Sequence, residues 1–138
     1  MILAGDIGAT KTILAAYDTK STTDAPLHEA SFPSGDYAGF EAIVEEFVGE
    51  FSFEAQIGSF GVAGPVLEGH AKLPNLPWAV DVDKLIDRFG FENVVLLNDL
   101  EATAMAIPEL TPSDLSVISR GIVDDEGNKA VIAPGTGL

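Results

Sequence analysis

The chain has 138 residues, 46% of them apolar, and a net charge of −15 from 22 acids against seven bases. It is long enough to bury a core as one domain and too apolar to be disordered. No apolar run approaches the ~20 residues of a membrane span, no basic region precedes the short N-terminal apolar run as in a signal peptide, and the scattered cations form no stripe for nucleic acid.

The absence of cysteine excludes disulfides and thiolate metal sites and is compatible with a reducing cytoplasm. Residues 1–18, MILAGDIGATKTILAAYD, read as strand, tight turn, strand. Ile2–Ala4 and Thr12–Tyr17 are apolar runs, and Gly5, Gly8, Ala9 and Thr10 make a small-residue turn. Glycine there permits positive φ and close approach of the backbone to a ligand. Asp6 stands at the end of the first strand. These are parts for binding a phosphate. Turn amides, Thr10 and Lys11 would donate hydrogen bonds, and Asp6 would hold Mg2+ directly or through water. GDIGATKT is neither a Walker A loop nor the dinucleotide fingerprint. The competing reading is an ordinary hairpin whose turn is Gly-rich, with Lys11 an exposed hairpin lysine.

Lys20–Pro26 is a loop by composition, and Leu27–Phe32 reads as a third strand. Ser34 or Asp36 is the expected N-cap of a helix whose apolar face is Phe40, Ile43, Val44, Phe47, Val48 and Phe51. Ile57–Ala63 is a short strand broken by Gly64-Pro65. Val66–Leu73 suggests a hairpin with a Glu68-Gly69 turn. His28 and His70 have no partners at metal-ligand spacing and read as packing or surface residues. In Leu73–Trp78 two prolines pin a loop that would present Asn75 to a polar ligand or use it as a turn residue.

Asp81 caps the next expected helix, with Val82, Leu85, Ile86 and Phe89 inward and Gly90 as its stop. Val94–Leu97 is a continuous apolar run, as for a strand buried on both faces, and it ends in Asn98-Asp99. Ligands of open α/β sheets gather at the carboxyl ends of strands. Asp99 is therefore either a general base or the cap of the helix expected at Leu100–Ile107. Leu115–Ile118 and Lys129–Ala133 read as the last two strands, around an acidic turn at residues 124–127. The closing Pro134-Gly135-Thr136-Gly137-Leu138 repeats the strand-then-Gly/Thr grammar of residues 2–10. Domains rarely end at such a turn, so the expectation is an N-terminal fragment of a longer protein.

Gly5–Lys11, Val62–Val66, Asn75–Trp78, Leu97–Ala102 and Pro134–Leu138, in this order and spacing, resemble the N-terminal half of the bacterial glucokinase family, in the hexokinase, actin and sugar-kinase superfamily. The resemblance runs from end to end. It implies a ribonuclease H-like (actin-like ATPase) α/β domain: a mixed sheet beginning with an antiparallel hairpin, with helices on both faces. It implies that residues 1–138 are the small domain of a two-domain sugar kinase. Gly5, Asp6, Ile7, Gly8, Ala9, Thr10 and Lys11 would form the first phosphate motif, and Gly135, Thr136 and Gly137 the second. Asn98 and Asp99 would hold glucose, with Asp99 as catalytic base. Ala9 stands where many members carry a second glycine, and Lys11 varies with Asn among related enzymes.

The implied reaction is transfer of the ATP γ-phosphoryl group to the 6-hydroxyl of glucose, with Mg2+ at Asp6 and closure of two domains excluding water. The rivals are a kinase of another hexose or amino sugar, a sugar-responsive regulator, and an actin-like nucleotide-binding protein. The expected partners are glucose and ATP, with no nucleic acid or membrane, and the expected compartment is the cytoplasm. The expected assembly is a homodimer or self-association of the fragment through apolar surface near Val131, Ile132 and Leu138.

Overall fold

A computed structural model describes residues 1–20, 25–122, 124 and 127–133. It divides into two compact units, Met1–Asp99 and Leu100–Leu138, where the sequence suggested one domain.

The first unit is built on the expected hairpin. β1 (Ile2–Ile7) and β2 (Lys11–Tyr17) pair antiparallel, and β3 (His28–Pro33) continues on the far side of β2. Helix α1 (Phe40–Phe51) then returns the chain so that β4 (Ile57–Val62) runs parallel to β1. A small antiparallel sheet comes next: β5 (Val66–Leu67), β6 (His70–Lys72) and β7 (Ala79–Asp81). The β5–β6 turn is the expected Glu68-Gly69, at φ +49° and +77°, as a type I′ turn requires. Helix α2 (Val82–Phe89) leads to β8 (Asn93–Asn98), parallel to β4. The main sheet is thus mixed, in the order β3-β2-β1-β4-β8.

Side-chain alternation gives the sheet two unlike faces. Leu3, Ile7, Leu14, Phe60, Val62, Val94 and Leu96 share the buried face. The apolar stripe of α1 lies on it: Phe40 meets Phe60 edge-to-face at 5.0 Å between centroids, and Phe47 meets Phe32 at 6.3 Å. Leu85 of α2 joins the same core, and Arg88 of α2 pairs with Glu45 of α1 at 2.6 Å. Asp81 caps α2 by accepting from the Lys84 amide at 3.2 Å, and Gly90 ends it at φ +73°. Within this unit both helices therefore cover one face, not two. The other face carries Ala4, Asp6, Ile13, Ser31, Ser59, Gly61 and Val95, and Val95 is 39% exposed. The apolar run of β8 is accordingly buried on one face only, which corrects the reading of Val94–Leu97.

Two local expectations also change. Neither Ser34 nor Asp36 caps α1. They lie in a 3-10 turn, Ser34–Asp36, and Gly39 precedes the helix with no side-chain cap. Gly5 is a strand residue, and neither Gly5 nor Gly8 has positive φ. Their smallness is steric: a Cβ on Gly5 would stand 2.7 Å from Leu14 Cδ2, and one on Gly8 would stand 2.8 Å from the Lys11 carbonyl oxygen.

Helix α3 (Asp99–Ala106) starts at the last residue of the first unit, and in the second unit short 3-10 turns cover Ile107–Glu109 and Pro112–Asp114. The strands expected at Leu115–Ile118 and Lys129–Ala133 do not form. A strand requires a ladder partner, and these segments have none among the described residues. Residues 21–24 of the expected loop, 125–126 of the acidic turn and the whole closing motif, 134–138, lie outside the described residues. No helix of the described residues is long and apolar enough to cross a membrane.

Candidate functional site

The site is set by register. Ile7 of β1, Val62 of β4 and Asn98 of β8 occupy one row across three parallel strands. Parallel strands stand about 4.8 Å apart, so the row is roughly 10 Å wide. All three strands end there, and each leads into a candidate segment: the turn at 8–10, Ala63-Gly64-Pro65, and Asp99. The fold thus places the turn at residues 8–10 and the Asn98-Asp99 pair on one edge of one sheet, the carboxyl edge where α/β sheets bind ligands.

Backbone bonds tie the segments together. The Ala63 amide donates to the Ile7 carbonyl at 3.0 Å. The Asn98 side-chain amide donates to the Gly64 carbonyl at 2.9 Å. Gly64 in turn packs on the chain leading into the Pro-rich loop: a Cβ there would stand 2.6 Å from the Lys72 carbonyl oxygen and 3.6 Å from Pro74 Cδ. Only glycine has room at this crossing. Gly64 thereby joins the loop that carries Asn75 to the strand that carries Asn98. No motif in the sequence marked this role, because it depends on β4 and β6 meeting in space.

The loop itself is anchored at both ends. Leu73 and Trp78 are buried, the Trp78 indole donates to the Tyr37 carbonyl at 3.2 Å, and the Leu76 amide closes a turn onto the Leu73 carbonyl at 3.3 Å. Pro74 and Asn75 are the central residues of that turn, and Asn75 is exposed. Desolvation, then the Glu46 carboxylate, raises the Tyr37 hydroxyl pKa above its ordinary value.

At the hairpin, Asp6 is the exposed residue next to the end of β1, between part-buried Gly5 and buried Ile7. The turn is held by the Gly8 amide, which donates to the Lys11 carbonyl at 3.0 Å. Ala9 is half-buried, and Thr10 and Lys11 are exposed. Gly5 faces Leu14 and Phe60 in the core, so it shapes the strand under the turn and does not line it. The histidines stay apart from this edge: His28 stacks on Phe51 at 4.4 Å, and His70 lies 3.5 Å from Asp81.

A family model described as glucokinase matches residues 3–138. The chain belongs to the glucokinase family. A curated glucokinase from Trichormus variabilis is 33% identical over all of the chain, and one from Caulobacter vibrioides is 32% identical over 99% of it; the chain spans 41% of each. The solved glucokinase from an Antarctic psychrotroph superposes with a TM-score of 0.76 at 28% identity, over 90% of the chain and 40% of that structure. A glucokinase of the ROK family from Streptomyces griseus, crystallised with glucose and AMPPNP, gives a TM-score of 0.55 at 26% identity, over 75% of the chain and 34% of that structure. Residues Gly5–Lys11 and Leu97–Asp99 thus fall within the matched residues, at the sheet edge described above.

Proposed function

We propose that residues 1–138 are the small domain of a two-domain, ribonuclease H-like sugar kinase that transfers the γ-phosphoryl group of ATP to the 6-hydroxyl of glucose. The observation that carries this reading is the shared row of Ile7, Val62 and Asn98. It brings a phosphate-type turn and an amide–carboxylate pair to one edge of one sheet. The glucokinase relatives support the choice of sugar and nucleotide.

In the proposed reaction Asp99 accepts the proton of the 6-hydroxyl and orients its oxygen for in-line attack. Asn98, with its amide nitrogen fixed on Gly64, is positioned to bind a neighbouring hydroxyl, and Asn75 another. The amides of residues 8–11, with Thr10 and Lys11, bind phosphate oxygens. Gly135, Thr136 and Gly137 are the proposed second phosphate turn. The exposed Asp6 carboxylate fits Mg2+, a hard cation that takes one or two carboxylates together with phosphate oxygens and water. Among the described residues no cluster of three acids or histidines would hold a metal unaided. Bound Mg2+ would neutralise charge on the phosphates; positioning of the sugar falls to the protein side chains.

The proposed compartment is the cytoplasm. Exposed Val117, Ile118, Ile122 and Ile132 support self-association of the isolated chain, though Leu138 lies outside the described residues. The test is Asp99→Asn in the full-length protein. It keeps the shape of the side chain and should lower kcat for glucose by about 10²-fold or more. A kcat within a few-fold of wild type would remove Asp99 as the base.

A further inference from the structure

We infer that Ser34 is a positioning residue for the nucleotide-binding turn, acting through a buried hydrogen-bond relay that begins at Thr12. Ser34 and Thr12 are the two fully buried polar side chains among the described residues, each at 0% exposure. The Ser34 hydroxyl donates to the Gly8 carbonyl at 2.7 Å and lies 2.9 Å from the Thr12 hydroxyl. A carbonyl only accepts, so the single Ser34 proton is committed to Gly8, and Thr12 must donate to Ser34. The relay therefore runs one way: Thr12 to Ser34 to Gly8. Serial hydrogen bonds in a buried setting polarise and strengthen one another. The Ser34 backbone adds a second tie, its amide donating to the Thr10 carbonyl at 3.1 Å.

The consequence for the turn comes from peptide geometry. A trans peptide is planar, with its C=O and N–H on opposite edges. Holding the Gly8 carbonyl toward Ser34 turns the Ala9 N–H away from Ser34 and out of the buried relay. A turn that binds phosphate through backbone amides needs that orientation fixed before the ligand arrives. Ser34, 26 residues away in sequence from Gly8, fixes it from behind. This inference rests on the reading of residues 8–11 as a nucleotide turn, and it predicts a defect confined to nucleotide.

The experiment is calorimetric binding of MgADP and, separately, glucose to the full-length protein and to Ser34→Ala, with Tm measured on both. Losing one neutral hydrogen bond of this kind should weaken MgADP binding about threefold to tenfold, while glucose affinity stays within twofold. Thr12→Val, which removes only the hydroxyl that feeds Ser34, should give a smaller loss of the same kind, and Thr12→Ser should restore it. If Ser34→Ala does not fold, the Thr12 pair carries the test. Unchanged MgADP affinity in the variants, or equal weakening of both ligands alongside a lowered Tm, would overturn the inference. So would a wild-type protein that does not bind MgADP. A wild-type protein that binds MgADP yet fails to phosphorylate glucose would sink the proposed reaction and leave the role of Ser34 standing.

Discussion

The Met1–Asp99 and Leu100–Leu138 units differ in how they use apolar residues. Every aromatic residue of the chain, eight Phe, two Tyr and one Trp, lies in the first 99 positions. Every buried apolar side chain among the described residues lies there too. The second unit is apolar in composition, yet Ile118 and Ile122 are fully exposed. Phe, Tyr and Trp bury far more area per side chain than Val or Ile, and in the first unit that area is committed by a five-stranded ladder. Without rings, and with no ladder partner among the described residues, strand-like sequence at Leu115–Ile118 and Lys129–Ala133 stays irregular. Apolar pattern proposes a strand, but pairing makes one.

The contrast can be broken by truncating one apolar side chain in each unit. Phe60 is 1% exposed, with Phe40 and Phe91 rings at 5.0 and 6.2 Å. Phe60→Ala should cost about 3–5 kcal/mol of unfolding free energy by urea titration, whereas Ile118→Ala should stay within about 0.5 kcal/mol. Comparable losses would mean that Ile118 is buried and the two units are alike after all. A glycine pair sharpens the contrast with a smaller effect. Gly64→Ala sets a methyl 2.6 Å from the Lys72 carbonyl, while Gly121→Ala meets nothing within 4 Å. The first should destabilise by about 1–3 kcal/mol and loosen the bond from Asn98. The second should be neutral or stabilise by up to about 1 kcal/mol, through the unfolded chain. A harmless Gly64→Ala would undo the close crossing of Gly64 over Lys72.

The same division decides what the sequence could show. The spacing of Phe40, Ile43, Val44 and Phe47 disclosed α1 because helix period is local, and Asp81 and Gly90 bracketed α2 for the same reason. The hairpin and the strand before Asn98 were legible as apolar runs. The burial of β8 on one face was not, because covering a face depends on where α1 and α2 land. At the candidate site, Asp6, Asn98 and Asp99 stood out as polar residues ending apolar strands. Ser34 was misread as a helix cap because serine before a helix ordinarily is one; here its hydroxyl is taken by the Gly8 carbonyl, across β2. Gly64 gave no signal for its part in placing Asn98, since the Lys72 carbonyl that forbids a side chain there reaches it only through the β5–β6 hairpin.

The smallest expected effect lies in the second unit, and it tests whether that unit is locally ordered at all. Thr111 and Asp114 form a capping box. The Thr111 amide donates to the Asp114 carboxylate at 2.8 Å, the Thr111 hydroxyl at 2.6 Å, and the Asp114 amide returns a bond to the Thr111 carbonyl at 2.9 Å. The Thr111 hydroxyl, and after it the Thr111 amide, lowers the Asp114 pKa below its ordinary value. Both donors favour the charged carboxylate, which sets the sign: the box is fully stabilising above the ordinary carboxylate pKa and is lost as pH falls through the lowered one. Because the side chain is exposed, the gain acts on the local turn and leaves global stability nearly unmoved. Carboxyl-detected NMR titration should find Asp114 protonating below the ordinary aspartate range. Thr111→Val removes the larger of the two donors and should move the midpoint back up, with the amide contribution remaining. A midpoint at the ordinary aspartate value in the unmodified chain would show that the turn is not held in solution, and the contrast between the two units would then be one of order as well as of burial.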